Sequence, residues 1–206
     1  RHYWNFVGLV GFPLFYTFVL LVADLQLGFR HALPLVPFMV LWMGWAASYV
    51  RKSPKWLFVG VVCMAIEFFA VYPNFLEFFN MAVGGPKNGS NYIVDSNLDW
   101  GQDLKALKLW MDDNGVGHIN LSYFGTAKPE YYGINCTHLR GSSAVFTAAG
   151  KEGEKPKLPG LVAISVTNLF QNHYAYYSGL REMQPIAKIN NTIFIYDVDP
   201  RRWQKN

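Results

Sequence analysis

The sequence predicts a membrane α-helical segment with three transmembrane helices, followed by an α/β soluble domain with a mixed sheet. Residues 4–23 and 32–50 contain no charged side chain. At a rise of about 1.5 Å per residue, each stretch covers the roughly 30 Å hydrocarbon core of a bilayer. After residue 72 the pattern changes to short strand-like and helix-like segments, which indicates a water-soluble domain.

The third predicted transmembrane helix, residues 56–72, is shorter and contains one acid, Glu67. An ionisable side chain is costly to expose to lipid, so Glu67 either has a function or lies close enough to the outer end to reach water. The predicted membrane domain is residues 1–80, and the predicted exterior domain is residues 81–206.

Basic residues determine the predicted orientation. Arg51, Lys52 and Lys55 lie in the short turn between the second and third predicted spans. The positive-inside rule places this turn in the cytoplasm. The domain of residues 81–206 is therefore expected outside the cytoplasm.

Charge and cysteine content exclude several classes of protein. The pI of about 9.0 would be compatible with a nucleic-acid partner. Residues 81–206, however, hold 13 Lys and Arg against 11 Asp and Glu with no basic run, so we expect no nucleic-acid partner. The two cysteines, Cys63 and Cys136, fall in different domains and predict no disulfide framework.

The exterior domain begins with a predicted strand at residues 91–94 and a helix after it. Trp100, Leu104, Leu107 and Met111 recur at helical spacing and predict one apolar helix face. Asp99 can cap this helix, with Gln102 three residues later, and residues 114–115 (Asn-Gly) end it.

Three further strands complete the predicted sheet. Alternation at residues 119–124, an apolar run at 161–166 and β-forming residues at 192–198 each predict a strand. Strand, helix and strand in this order predict a βαβ unit. Residues 141–160 are rich in Gly, Ser, Lys, Glu and Pro, which is typical of a mobile loop.

The segment DSNLDWGQD, residues 95–103, is the candidate ligand-binding loop. It follows a predicted strand and leads into a helix, which is where ligands bind in α/β sheets. Its candidate residues are Asp95, Asn97, Asp99, Gln102 and Asp103. Their oxygens could hold a divalent cation, although Ala106 stands where a calcium loop has its bidentate Glu. The alternative is structural: Asp99 caps the helix and Asp103 favours its dipole. No other metal ligand set, no cofactor motif and no catalytic constellation is evident.

Arg30 and His31 form a second candidate site, just after the first span. A guanidinium group makes paired hydrogen bonds to phosphate oxygens, so these residues could contact a lipid phosphate. Interfacial anchoring of the span is the alternative.

Several motifs resemble the C-terminal part of bacterial membrane proteins of glycosyltransferase family 39, relatives of the dolichyl-phosphate-mannose protein mannosyltransferases. The resemblance runs from about residue 27 to residue 197. It is carried by the segments GFRHALP from Gly28, GGP from Gly84, DSNLDWGQDLKAL from Asp95, LSYFGTAKPEYYGI from Leu121 and AISVT from Ala163.

The resemblance implies an integral membrane enzyme of the GT-C type, which transfers sugar from a polyprenyl-phosphate donor outside the cytoplasm. It implies the bacterial inner membrane, with the soluble domain on the periplasmic or exterior side. The family's catalytic acid lies in the first exterior loop of a longer chain, a region with no counterpart here, so no catalytic residue is assigned.

Two hypotheses follow. The chain is the C-terminal portion of such a glycosyltransferase, or it is a non-catalytic, glycosyltransferase-derived subunit of a larger membrane complex, for example a photosynthetic or respiratory assembly. The expected partners are the lipid bilayer, other transmembrane helices and, in the first hypothesis, a lipid-linked sugar.

Overall fold

The computed structural model describes residues 7–23, 28–50, 54–94, 97–141, 153–170 and 175–203. The chain divides into two compact units, residues 1–70 and residues 71–206. The first unit is helical, and the second contains all the strands among the described residues.

Three apolar helices form the first unit. They are α1 (Phe12–Val22), preceded by a π-helical turn at Val7–Gly11, α2 (Val36–Val50), preceded by a 3₁₀ helix at Gly28–Leu35, and α3 (Pro54–Val71). The rings of Phe12 and Phe38 lie 5.4 Å apart between centroids, so α1 and α2 contact each other.

One helical stretch in the described part of the chain, Arg30–Tyr49, is long and apolar enough to cross a membrane, and Val7–Val22 is apolar but shorter. The prediction of three transmembrane helices is therefore not supported. Regular α-helix in α1 covers only 11 residues. In α3, Lys55 in the first turn and Glu67 further along interrupt the apolar sequence.

A mixed sheet forms the centre of the second unit, as the sequence predicts, but it has five strands among the described residues instead of the predicted four. The strands are β1 (Ile119–Ser122), β2 (Cys136–His138), β3 (Gly160–Ser165), β4 (Ala187–Ile189) and β5 (Ile193–Val198), in the spatial order β2-β1-β3-β5-β4. β1 runs parallel to β2 and β3, while β5 runs antiparallel to β3 and β4. The sheet ends at β4 rather than at β5.

Helices cover both faces of the sheet. Leu104, Leu107 and Met111 of helix α4 (Leu104–Asp113) pack with Ala163 and other residues of one face. Side chains of α5 (Val166–Phe170) and α6 (Ser178–Arg181) pack against the opposite face, which includes Val162, Ile164, Phe194 and Tyr196. A short α7 (Pro200–Trp203) follows β5. The alternation of side chains along β3 and β5 thus supplies two cores, one on each face.

The predicted strand at residues 91–94 is wrong. Residues Pro86–Asn91 form a 3₁₀ helix, and the backbone N–H groups of Tyr92 and Ile93 both donate to the carbonyl of Gly89, each at 3.0 Å. The chain therefore coils at the point where a strand would be extended.

The start of the predicted helix is also different. Helix α4 begins at Leu104, and Asp99 accepts a hydrogen bond from the N–H of Gly101 instead of capping a helix. Trp100, expected on the buried helix face, precedes the helix and is 59% exposed. The end of α4 is as predicted, with Asn114 after the last helical residue and Gly115 at φ +64°.

Candidate functional site

The carboxyl ends of the parallel strands β1 and β3 meet at one edge of the sheet. Ser122 ends β1, and Ser165 ends β3 one residue beyond the partner of Ser122. The hydroxyl oxygen of Ser165 accepts a hydrogen bond of 3.0 Å from the N–H of Phe124. The β1–β3 pairing ends at this bond. The carboxyl ends of these strands form the edge at which α/β proteins bind ligands.

The candidate loop is folded tightly at this edge. The N–H of Trp100 donates to Oε1 of Gln102 at 2.8 Å, and Nε2 of Gln102 donates to the carbonyl of Leu98 at 3.2 Å. Oδ1 of Asp99 accepts the N–H of Gly101 at 2.9 Å. The amide of Gln102 and one oxygen of Asp99 therefore hold the backbone of their own loop.

Gly101 allows the loop to approach the sheet. Its φ is +72°, and its carbonyl accepts a hydrogen bond of 2.7 Å from the hydroxyl of Tyr123. A Cβ at this position would lie 2.1 Å from that hydroxyl oxygen and 2.7 Å from the carbonyl oxygen of Phe124. Only glycine fits both the positive φ and the close contact.

Asp99 is fully buried beneath the loop. Burial raises the pKa of its carboxyl to about 7, while hydrogen bonds from the N–H of Gly101 and from the hydroxyls of Thr167 and Ser165 partly oppose the rise. Burial thus favours the protonated form of this carboxyl. It lies at the ends of β3 and the candidate loop and connects them.

Two further buried carboxyl groups, those of Glu77 and Asp103, lie against the turn between β4 and β5. Asp103 accepts hydrogen bonds from Nδ2 of Asn190 at 2.6 Å and from the hydroxyl of Thr192 at 2.5 Å. Oε2 of Glu77 accepts from Nδ2 of Asn191 at 2.7 Å and from its backbone N–H at 3.2 Å. Three consecutive residues of one turn therefore bind two carboxyl groups.

The two carboxyl groups of Glu77 and Asp103 influence each other. Burial raises the pKa of Glu77 to about 7; the bonds from Asn191 oppose this rise, and the hydrogen bond and negative charge of Asp103 add to it. When Glu77 is protonated, its O–H can donate to Asp103. Both residues are buried in the fold.

The structure brings together three of the predicted loop residues. Asp99, Gln102 and Asp103 are adjacent in the folded loop, Asn97 lies in the turn before them, and Asp95 is outside the described residues. The prediction of a divalent cation at this loop stays a prediction.

Arg30 and His31 belong to the helical unit. They lie in the 3₁₀ helix that leads into α2, where the carbonyl of His31 accepts a hydrogen bond of 2.9 Å from the hydroxyl of Tyr16. This bond fixes the start of α2 against α1. A lipid-phosphate contact by these two residues stays a prediction.

Sequence reasoning missed a cluster formed by Glu130, in the 3₁₀ helix Pro129–Tyr132, with Cys136 and His138 of strand β2. Oε1 of Glu130 is 2.6 Å from Nε2 of His138, and Sγ of Cys136 is 3.7 Å from the same nitrogen. Burial raises the pKa of the Cys136 thiol to about 12, with the charges of Glu130 and Glu154 adding to the rise. The available signal was a Cys-x-His pair in a three-residue strand, which is too short to predict from alternation.

The carboxyl of Glu130 is more acidic than usual. Burial would raise its pKa, but hydrogen bonds from its own backbone N–H and from His138 outweigh that effect and lower the pKa. Glu130 is therefore an anion at neutral pH, held against an imidazole and a thiol. The three ligand atoms lie within 4.8 Å of one another, so these side chains could bind a metal ion.

Comparisons with known proteins gave no match among protein-family models, curated proteins or solved structures.

Proposed function

We propose that this chain is the C-terminal, membrane-anchored portion of a polyprenyl-phosphate-sugar-dependent glycosyltransferase related to family 39. In this proposal the helical unit lies in the bacterial inner membrane, and the α/β unit is on its periplasmic face. The sequence motifs described above support the relationship. The observation that carries the membrane assignment is the exposure of large apolar side chains along all three helices.

These side chains are aromatic as well as aliphatic. Phe15 in α1, Trp45 in α2 and Phe69 in α3 are 66%, 67% and 72% exposed. Apolar surface of this extent marks a face for lipid or for other protein helices, because water disfavours it. A helix as short as α1 can still span if the bilayer thins locally around it. Lipid and neighbouring transmembrane helices are therefore the proposed environment of α1, α2 and α3.

Reporter fusions test the proposed orientation. Alkaline phosphatase, which is active only outside the cytoplasm, is fused after Asn206 of the full chain, and in a second strain after Lys55. We expect activity from the first fusion and none from the second, with the reverse result for a green fluorescent protein that folds only in the cytoplasm. Phosphatase activity confined to the Lys55 fusion would overturn the orientation.

A non-catalytic role in a larger membrane complex is the second candidate function. One observation favours it: the carboxyl groups of Glu77, Asp99 and Asp103 are buried and hydrogen-bonded to other parts of the same unit. A general base must reach the proton that it removes. These acids are directed into the fold and are better suited to holding it together.

A transfer assay tests whether the chain is catalytic. The purified 206-residue chain is incubated with a polyprenyl-phosphate sugar and acceptor proteins in detergent. Both candidate functions expect no turnover from the chain alone, and measurable transfer would contradict both.

The native size of the protein separates the two candidates. An antibody against the α/β unit is used on membranes of the source cells. A band far larger than 23.5 kDa supports the glycosyltransferase. A band near that mass, which co-purifies with a complex in mild detergent, supports the subunit.

A further inference from the structure

The cluster of Glu130, Cys136 and His138 lies at the outer edge of the sheet. β2 pairs with β1 on one side and is, among the described residues, the last strand in that direction. Cys136 and His138 are two residues apart on β2, so their side chains leave the same face of the strand. That shared face is what allows a thiol and an imidazole to meet.

A tight turn brings Glu130 over the same face. Glu130 belongs to the 3₁₀ helix Pro129–Tyr132, which ends at Gly133 with φ +73°. The N–H of Gly133 donates to the carbonyl of Glu130 at 3.0 Å, and the N–H of Ile134 donates to that of Pro129 at 3.2 Å. The chain thus reverses between Glu130 and β2, which places the carboxylate beside His138.

The separations of the three ligand atoms are close to those of a zinc site. Zn–S and Zn–N bonds of about 2.3 Å and 2.05 Å at a tetrahedral angle put sulfur and nitrogen about 3.6 Å apart. Sγ of Cys136 and Nε2 of His138 are 3.7 Å apart. The two ligand atoms on β2 therefore already have the spacing that the ion requires.

Only the carboxylate has to move. A tetrahedral ion puts nitrogen and oxygen about 3.3 Å apart, whereas Glu130 and His138 are hydrogen-bonded at 2.6 Å. The Glu130 side chain is 60% exposed, so its carboxylate can move this short distance away from His138 without disturbing the core. The ion would replace the proton of this hydrogen bond, and the neutral ring of His138 would then carry its proton on Nδ1 instead of Nε2.

We propose that Glu130, Cys136 and His138 bind one Zn²⁺ ion through Oε1, Sγ and Nε2. A thiolate, an imidazole and a carboxylate together suit zinc, whereas Mg²⁺ and Ca²⁺ prefer oxygen ligands alone. The thiol proton leaves to solvent as the Zn–S bond forms. Thiolate and carboxylate then balance the two positive charges of the ion.

A bound ion would link two segments of the chain, and one of its coordination positions would stay open. It ties the 3₁₀ helix Pro129–Tyr132 to the edge strand β2, whose outer side has no strand partner among the described residues. Three protein ligands leave the fourth position to water or to an external ligand. The N–H of Glu154 donates to the carbonyl of His138 at 2.7 Å, so this residue lies beside β2.

Cobalt spectroscopy of the full chain in detergent tests the proposal. Co²⁺ alone is added to the metal-free protein, followed by Zn²⁺. We expect a thiolate-to-cobalt charge-transfer band and d–d bands of four-coordinate intensity that saturate at one equivalent and disappear when Zn²⁺ is added. Metal-free protein that shows no such band with excess Co²⁺ overturns the proposal.

Matched variants assign the ligands. Cys136→Ser should abolish the charge-transfer band, and Cys63→Ser, which alters the exposed cysteine of α3, should leave it unchanged. Glu130→Gln should weaken Zn²⁺ binding at least about 10-fold, the scale that even outer hydrogen-bond partners of a ligand reach. Because Glu130 is exposed, this variant is expected to fold, and circular dichroism checks that it does. A band that persists in Cys136→Ser, or unchanged Zn²⁺ affinity in folded Glu130→Gln, contradicts the assignment.

Discussion

Thr192 donates a hydrogen bond of 2.5 Å to Oδ2 of Asp103, which lies 89 residues earlier in the chain. Both residues are buried, and the bond joins the start of helix α4 to the turn that precedes β5. Asn190 and Asn191 add bonds to Asp103 and to Glu77 from the same turn. The turn between β4 and β5 thus holds the candidate loop in place through Asp103.

Thr192→Val should destabilise the full chain by about 1–3 kcal/mol. Valine has the same shape as threonine but no hydroxyl, so one buried carboxylate oxygen of Asp103 loses its donor. Chemical denaturation in detergent, followed by the far-ultraviolet circular dichroism of the α/β unit, measures the change. Thr126→Val, at an exposed position, is the matched control and should change the free energy of unfolding by less than about 0.5 kcal/mol. Equal effects of the two variants would contradict the role of this hydrogen bond.

Stability should fall as the pH rises from about 5 to about 8. Glu77 and Asp99 both have a pKa raised to about 7 in the folded protein, above their ordinary values of 4.5 and 3.8. The folded state therefore holds more protons than the unfolded state between these values. The favourable contribution of the protonated forms is complete below about pH 4 and is lost as the pH rises through about 7.

Asp99→Asn separates this effect from the titration of other groups. The neutral amide keeps an oxygen acceptor for the N–H of Gly101, so the free energy of unfolding should depend less on pH than in the unmodified chain. Asp113→Asn, at the exposed end of α4, should retain the original pH dependence. The measurement is the denaturation midpoint at several pH values. If this midpoint changed with pH as strongly in Asp99→Asn as in the unmodified chain, the assignment would be refuted.

Local sequence pattern predicted the elements that are regular over several residues. Strands β3 and β5 and the buried stripe Leu104, Leu107 and Met111 of α4 agree with the apolar periodicities that predicted them. The mixed α/β class follows from the same elements. Residues 91–94 are rich in β-forming side chains, but the carbonyl of Gly89 captures two successive N–H groups there and coils the chain.

The contacts within the candidate site could not be read from the sequence. Glu77 and Asn191 are 114 residues apart, and no local pattern relates them. Asp99 has the residue type and position of a helix cap. In the structure it is buried and accepts a hydrogen bond from the N–H of Gly101 instead. The sequence does not show that Glu130 contacts His138, because the turn at Gly133 brings the two residues together.

Gly101→Ala should destabilise the chain by at least about 2 kcal/mol. A Cβ at φ +72° is strained, and it would lie 2.1 Å from the hydroxyl oxygen of Tyr123. Gly117→Ala is the matched control, because a Cβ there has no atom within 4 Å, and its effect should stay within about 0.5 kcal/mol. Thermal unfolding of both variants provides the comparison. Similar midpoints would show that the loop does not pack against Tyr123 as described.

Val40→Lys should weaken the association of the chain with membranes. Val40 is 55% exposed near the middle of the apolar stretch Arg30–Tyr49, and a lysine at the centre of a spanning helix costs about 2.5–3.5 kcal/mol. A cost of this size shifts the equilibrium between inserted and uninserted helix by about 100-fold. The measurement is the fraction of the protein that stays in the pellet when membranes are extracted with alkaline carbonate.

Leu109→Lys provides the control for that experiment. Leu109 is 57% exposed, as apolar as Val40, and lies on helix α4 of the α/β unit, where a charged side chain would face water. It should therefore leave the membrane fraction unchanged. If Val40→Lys and Leu109→Lys both stayed fully in the membrane pellet, α1 and α3 would hold the chain in the membrane without α2. If Leu109→Lys were also lost from the pellet, the α/β unit would contribute to membrane association as well as α2.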